Sequence, residues 1–364
     1  MTRGGKYSRE GGTTDMMTIE ELVAKAKADG GSDIHLICGL PPKYRVSGGL
    51  QNMSDEVLTQ DDCIAVAQFL AGRRYEEFDR VGEFDGAGTF AGNRCRIHLF
   101  KQQGVPSLAL RLLREEIPKL ENLNLPPAVM QLTDLHKGIV LVTGETGSGK
   151  STTLAALLDN INHRYNHHIV TLEDPVEYLY KPDKCAINQR EVGKDTESFA
   201  AGLRASLRED PNVILIGEMR DRETIETAIT AAETGHLVFG TLHTGSASDA
   251  VDRIVQVFPA DAQTQIRLQL SMTLQAVLTQ QLMPKKGGGG RVLASELMIV
   301  TDAIRNLIRS GNTPQIANAI ATSAAIGGQT MDQCLVKLVR GGQVERTVAL
   351  HYAHDPDYVK KNAI

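Results

Sequence analysis

Residues Gly144-Glu145-Thr146-Gly147-Ser148-Gly149-Lys150-Ser151 fit the pattern G-x-x-x-x-G-K-[ST] without a mismatch. The chemistry that pattern serves is the holding of a triphosphate. Its glycines let backbone N–H groups close around phosphate oxygens, its lysine brings a point charge to the β and γ phosphates, and its last hydroxyl ligates Mg²⁺. Here those roles fall to Lys150 and Ser151. The apolar run Ile139-Val140-Leu141-Val142 precedes the loop, and the helix-forming Thr152-Thr153-Leu154-Ala155-Ala156-Leu157-Leu158 follows it. Strand, loop and helix thus stand in the required order, and the helix start adds its own partial positive charge. A chance glycine-rich turn is the competing reading, and agreement of motif with context weighs against it.

Hydrolysis also needs a carboxylate to orient or deprotonate water, and the ends of parallel strands are where such groups meet a bound nucleotide. Two strand ends supply one. Ile169-Val170-Thr171-Leu172 runs into Glu173-Asp174-Pro175-Val176-Glu177, and Val213-Ile214-Leu215-Ile216 runs into Gly217-Glu218. Glu173 closes its strand whereas Glu177 lies past Pro175, which favours Glu173 as the base; a capping or surface carboxylate is the bland alternative for either. Gly217 stands where a magnesium-binding Asp is usual, so Glu218 must act on the metal, through water. Phe199, Leu203 and Leu207 recur at spacings of four and turn Arg204 and Arg208 onto a neighbouring face, for the nucleotide, for solvent, or for a local pair with Glu209 or Asp210. His243 follows the run Leu237-Val238-Phe239-Gly240-Thr241-Leu242 and could sense the γ phosphate; His236 could contact nucleotide or equally cap a helix end. No metal-ligand cluster such as H-E-x-x-H occurs.

The elements that must position these groups alternate from Gly138 onward. Strands are expected at 138–143, 168–173, 213–217 and 237–242, and helices at 150–162, 196–209, 221–234 and 246–256, which predicts a mostly parallel sheet covered on both faces. A helix ending near Leu282, a turn at glycines 287 to 290 and a strand at 291–296 follow, and 301–364 reads as helical with Gly-rich breaks. Ahead of this α/β core, residues 1–17 read as a disordered leader and 18–113 as a small α+β module. The module's strand candidates are 33–37, 42–46, 82–85, 94–100 and 107–112, with helices near 18–29 and 60–79. In it, Arg94, Arg96 and His98 alternate with Cys95, Ile97 and Leu99, as on a half-exposed antiparallel sheet. Residues 114–128, with Pro118, Pro126 and Pro127, read as a linker, and 129–300 as the core.

At 364 residues, 41% hydrophobic and 23% charged, the chain has the composition of a soluble globular protein of about two domains. A net charge of -5 and the lack of a basic stripe with interleaved aromatics speak against a nucleic-acid partner. The five cysteines form no C-x-x-C pair, which points to a reduced, cytoplasmic protein rather than a zinc site or a disulfide framework. No apolar run reaches the length of a membrane span and the N-terminus has no signal-peptide core, so membrane association is expected only through a partner.

Taken together the motifs resemble the type II/IV secretion ATPases, and within them the pilus retraction ATPases of the PilT family. Four stretches carry the resemblance: Gly144 to Thr152 (Walker A), Thr171 to Glu177 (Asp box), Leu215 to Asp221 (Walker B, whose Gly217-Glu218 ending is usual in this family) and Thr234 to Thr244 (His box). Ser32-Asp33-Ile34-His35-Leu36 and Gly39-Leu40-Pro41-Pro42 resemble the family's PAS-like N-terminal domain. The resemblance spans nearly everything after residue 18. It implies a RecA-like core, and a homohexamer that binds ATP and Mg²⁺ at the cleft between domains and is completed by arginines of the adjoining domain or subunit. Arg96, Arg111, Arg190, Arg204 and Arg208 match that role. It further implies work on an inner-membrane platform protein that carries a type IV pilus. Extension and type II secretion ATPases usually carry a four-cysteine zinc insertion and extra N-terminal domains, which favours retraction; pilus extension or type II secretion-type assembly, an accessory retraction role, conjugation-type secretion or a nucleotide-controlled assembly module are the alternatives. Ala303-Ile304-Arg305-Asn306-Leu307-Ile308-Arg309 matches the retraction signature, although its spacing alone reads as a core stripe beside an exposed Arg305/Arg309 pair, and Ser310 replaces the family's usual Glu.

Overall fold

The computed structural model describes residues 17–113 and 116–363; all but the last residue of the expected leader, and residues 114–115 of the expected linker, lie outside the described residues. The chain divides into two compact units, Met1–Glu116 with Asp174–Leu179, and Ile117–Glu173 with Tyr180–Ile364.

In the first unit, α1 (Ile19–Ala28) begins at a capping box, where the Thr18 hydroxyl accepts from the Glu21 N–H and the Glu21 carboxylate accepts from the Thr18 N–H. It buries Ile19, Leu22, Val23 and Ala26. Next come β1 (Gly31–Leu36), β2 (Lys43–Val46), β3 (Gly49–Asn52), α2 (Gln60–Ala71), α3 (Tyr75–Val81), β4 (Glu83–Phe90), β5 (Asn93–Gln102) and β6 (Val105–Leu112). The strands form one sheet in the order β3-β2-β1-β6-β5-β4, and every neighbouring pair is antiparallel. The alternation along β5 is as expected, with Cys95, Ile97 and Leu99 in the core and Arg96 exposed. The single helix expected over 60–79 is instead two helices, interrupted by a short 3-10 turn at Gly72–Arg74, where Gly72 takes φ +53.

The second unit is the α/β core. Its elements are β7 (Gly138–Thr143), α4 (Lys150–Arg164), β8 (His168–Glu173), β9 (Ala186–Glu191), α5 (Phe199–Ser206), β10 (Val213–Ile216), α6 (Arg222–Glu233), β11 (Leu237–Leu242), α7 (Ala247–Gln256), α8 (Gln263–Thr273), β12 (Leu274–Pro284) and β13 (Arg291–Ile299). Helices α9 (Asp302–Ser310), α10 (Ile316–Ala321), α11 (Met331–Arg340), α12 (Arg346–Tyr352) and α13 (Pro356–Asn362) follow. The strand order is β13-β12-β7-β11-β10-β8-β9, parallel throughout except for the antiparallel β12/β13 pair. Ile139 and Leu141 of β7 share a cluster with the apolar faces of α6 to α10, while Val140 and Val142 on the opposite face are just as fully buried. The sheet is thus covered on both sides, as a parallel sheet must be.

Two expectations are corrected here. The segment reaching Leu282 is not a helix: α8 stops at Thr273 and residues 274–284 form β12. Both faces of β12 are covered, so its apolar residues show no two-residue alternation to betray a strand. Arg305, expected beside Arg309 as an exposed pair, instead turns inward. Its guanidinium donates to the carbonyls of Ser271 (2.7 Å), Met272 (3.2 Å) and Leu274 (3.3 Å) and to the Gln275 side chain (3.2 Å), closing the C-terminal end of α8.

Candidate nucleotide site

The glycine-rich loop leaves β7 at Thr143 and enters α4 at Lys150. Gly144 takes φ +138, and a Cβ there would overlap the Gln280 carbonyl oxygen and stand 2.6 Å from Ser148 Oγ. Only glycine fits, because the loop passes directly over β12. Gly149, at φ +97, precedes a helix start that no side chain caps. The first N–H groups of α4 therefore face the loop, as an anion-binding helix start requires. Ser148 Oγ is buried with no hydrogen-bond partner, although buried hydroxyls are as a rule paired. Lys150 Nζ lies against the loop, donating to the carbonyls of Gly144 (2.7 Å) and Glu145 (3.0 Å). Burial lowers the Lys150 pKa and the nearby Glu218 carboxylate opposes that shift. Ser151 stands exposed in the first turn of α4, with Thr152 after it. An uncapped helix start, a cradle that a Cβ would fill and an orphaned buried hydroxyl fit a phosphate chain.

Along the carboxyl edge of the sheet, the strand order places the ends of β7, β11, β10 and β8, and the residues that leave them, side by side. Lys150, His243, Glu218 and Glu173 come from those positions. His243 Nε2 lies 3.1 Å from Glu218 Oε1, and Arg220 also pairs with that carboxylate. Burial first, then the Lys150 charge, lower the His243 pKa, and Glu218 acts in the opposite sense. Glu173 Oε1 accepts from the Thr171 hydroxyl (2.6 Å) and the Gln189 amide (3.3 Å), which fixes one oxygen at the end of β8. Gly217 explains the missing aspartate in steric terms. Its N–H donates to the Leu172 carbonyl (2.8 Å), and a Cβ would stand 3.1 Å from that oxygen and 3.3 Å from Glu173 Cα. A side chain at 217 would press into the strand that carries Glu173.

The other expected residues make contacts within their own units. His236 immediately precedes β11 and so stands at the opposite edge of the sheet, about 20 Å of strand from His243. Its Nδ1 lies 2.9 Å from the Ala231 carbonyl, a contact that closes the C-terminal end of α6. Arg204 and Arg208 are exposed on or just beyond α5. Arg204 pairs with Glu223 rather than with Glu209 or Asp210, and Arg208 donates to the Arg204 carbonyl (3.2 Å). Arg190 bonds Glu209 at 2.8 Å. In the first unit, Arg111 bonds Asp33 at 2.7 Å and Arg96 lies 3.7 Å from Glu177.

Sequence reasoning missed the supports from β12. The Thr279 and Thr143 hydroxyls lie 2.9 Å apart, and Gln280 Nε2 donates to Thr153 Oγ1 of α4 at 2.7 Å. Polar residues in a strand buried on both faces are the one signal that could have flagged them.

The family model described as "Type II/IV secretion system protein" matches residues 96–344. The type IV pilus retractation ATPase PilT of Pseudomonas aeruginosa is 45% identical over 94% of this chain and 99% of its own length. The uncharacterized protein YggR of Escherichia coli is 45% identical over 90% of this chain and 100% of its own. A crystal structure of the pilus retraction motor PilT with bound ADP superposes with a TM-score of 0.88 at 44% identity, covering 95% of this chain and all of that one. With its glycine-rich loop and strand-end carboxylates in place, the chain is a P-loop ATPase and belongs to the type II/IV secretion system protein family.

Proposed function

We propose that this chain is the ATP-driven motor of type IV pilus retraction, working as a homohexamer in the cytoplasm, peripheral to the inner membrane, on the pilus platform protein. The observation that carries this reading is the match to a retraction ATPase along nearly the full length of both chains. No helix among the described residues is long and apolar enough to cross a membrane.

In this reading residues 144–152 wrap the phosphates of ATP, and Lys150 leaves its loop carbonyls to meet the β and γ phosphates. Among the described residues no group of three His, Cys, Asp or Glu could hold a metal by itself. The Ser151 hydroxyl would hold a magnesium ion that arrives with ATP, and Glu218 would reach it through water. Such an ion neutralises phosphate charge. Glu173, held by Thr171 and Gln189, orients and deprotonates the attacking water. His243 reports on the γ phosphate through its contact with Glu218. Arg96, Arg111, Arg190, Arg204 and Arg208 come from the adjoining domain or subunit, so turnover depends on closure of the ring. In this reading the chain is organised as a PAS-like module over 18–113, a linker over 114–128, a RecA-like core over 129–300 and a helical region over 301–364.

The test is ATPase rate against protein concentration with mass measured alongside, for the wild type and Glu173→Gln, together with pilus retraction in cells. Turnover should rise with a six-subunit species. Glu173→Gln should bind ATP and assemble, yet neither hydrolyse nor retract. Full activity in a monomer would remove the shared site, and normal retraction with Glu173→Gln would remove the motor.

A further inference from the structure

We propose that Glu296 is a positioning residue that ties the C-terminal helices to the loop carrying His243; this rests on the reading of His243 as acting at the nucleotide. Glu296 lies in β13 and is 3% exposed. Its Oε1 accepts the Ala247 N–H at 2.8 Å and its Oε2 the Met331 N–H at 3.4 Å. Ala247 is the first residue of α7 and Met331 the first of α11. One carboxylate therefore closes the N-terminal ends of two helices far apart in sequence, where a negative charge is favoured.

Each end of this bridge leads onward. Three residues, Thr244, Gly245 and Ser246, separate Ala247 from His243, whose ring touches Glu218. On the far side, Asp332 follows Met331 and is also buried. Its carboxylate accepts the N–H groups of His354 (2.8 Å) and Asp355 (3.0 Å), and Asp355 in turn caps α13. A displacement of α11 or α13 is thus passed by carboxylate-to-backbone hydrogen bonds to the start of α7 and so to the His243 loop. Packing alone would not call for this arrangement. An apolar side chain fills such a place at lower cost than a carboxylate, and burial raises the Glu296 pKa against the two N–H bonds that lower it. The bonds fix direction, which an apolar contact would not.

Glu296→Gln tests the bridge. The amide has one acceptor oxygen, so it keeps only one of the two N–H partners and the link breaks at one end or the other. Hydrogen exchange at Ala247 or Met331 should speed by about tenfold, with the 144–150 loop unchanged. Turnover should fall several-fold with little change in KM for ATP. In a His243→Ala background the same substitution should bring no further fall in kcat, while its effect on melting stays the same in both backgrounds. Additive kcat losses, or unchanged exchange at both amides, would overturn the proposal. Wild-type turnover in His243→Ala would remove the catalytic reading of His243 by itself, whereas faster exchange at Ala247 in Glu296→Gln would still uphold the bridge.

Discussion

Gly217→Asp would give this chain the strand-end aspartate usual in P-loop enzymes, and the structure says that it will damage the enzyme. The new Cβ would stand 3.1 Å from the Leu172 carbonyl oxygen, 3.3 Å from Glu173 Cα and 3.5 Å from the Phe199 ring. Two of those neighbours are backbone of β8, which cannot turn aside as a side chain would. The strands must part by a few tenths of an ångström, and the Gly217 N–H bond to Leu172 (2.8 Å) lengthens with them. Overpacking of this kind costs about 1–3 kcal/mol. In a unit of this size that is a fall in Tm of about 2–12 °C. Since Glu173 sits on β8 and Glu218 follows β10, the same parting separates the two carboxylates. A misplacement of ~1 Å costs about 100-fold in rate, so a few tenths should cost about four- to tenfold in kcat. The assay is steady-state ATPase activity with a melting curve, on Gly217→Asp beside Gly217→Ala, which brings the Cβ without the carboxylate. Both should lose stability and turnover. An unchanged Tm, or a kcat at or above wild type in Gly217→Asp, would refute the steric account and return Gly217 to the status of a missing metal ligand.

Gly144→Ala meets a carbonyl oxygen while Gly147→Ala meets open space, although both glycines take positive φ; Gly144→Ala should therefore lose more nucleotide affinity in a fluorescent-nucleotide titration, by about tenfold or more, and equal losses would contradict the cradle. His243 should titrate below the usual histidine value of about 6.5, because burial and Lys150 outweigh Glu218. Its native state resists protonation, so the stability it contributes is present above that value and is lost as pH falls from there through the native pKa; a ring titration by NMR with its midpoint at or above the usual value would contradict this. Arg204→Ala breaks only an exposed pair with Glu223 and should change stability by no more than about 1 kcal/mol in a melt. Supplied across a subunit boundary, however, Arg204 should matter by about 10³-fold or more in the turnover of the assembled species, and a small kcat change there would remove it from the shared site.

The groups that sequence reasoning located are those whose signal is local. The glycine loop, Glu173, Glu218 and His243 each close or follow a strand, and the alternation of strands with helices suffices to put them along one edge of a parallel sheet. His236 carried a similar local signal, but it stands just before the strand that His243 follows, so the strand length separates them within the chain. The contacts that hold the site were not legible because each joins residues far apart in the chain. Gln280 reaches Thr153, Arg305 reaches Ser271 and Glu296 reaches both Ala247 and Met331. Arg305 was hidden further by its helix. Its place on a polar face says that it leaves the core stripe of α9, not that it bends back onto the carbonyls of α8.

The one segment whose type was misread is also the one on which the loop rests, and the two facts share a cause. β12 lies between β7 and β13 with both faces covered, so it shows no alternation. That same position sets Thr279 beside Thr143, the Gln280 carbonyl behind Gly144 and the Gln280 amide on α4. The phosphate loop is thereby held from below at its strand, at its first glycine and at its helix. The far end of β12 is held too, by Arg305 on the carbonyls around Leu274. An ATPase needs its phosphate cradle to keep its shape through turnover, and a strand buried on both faces, braced at its start and along its middle, provides a rigid support. Arg305 thus belongs to that support, and a partner reading the α9 surface would meet Arg309 and Ser310 instead.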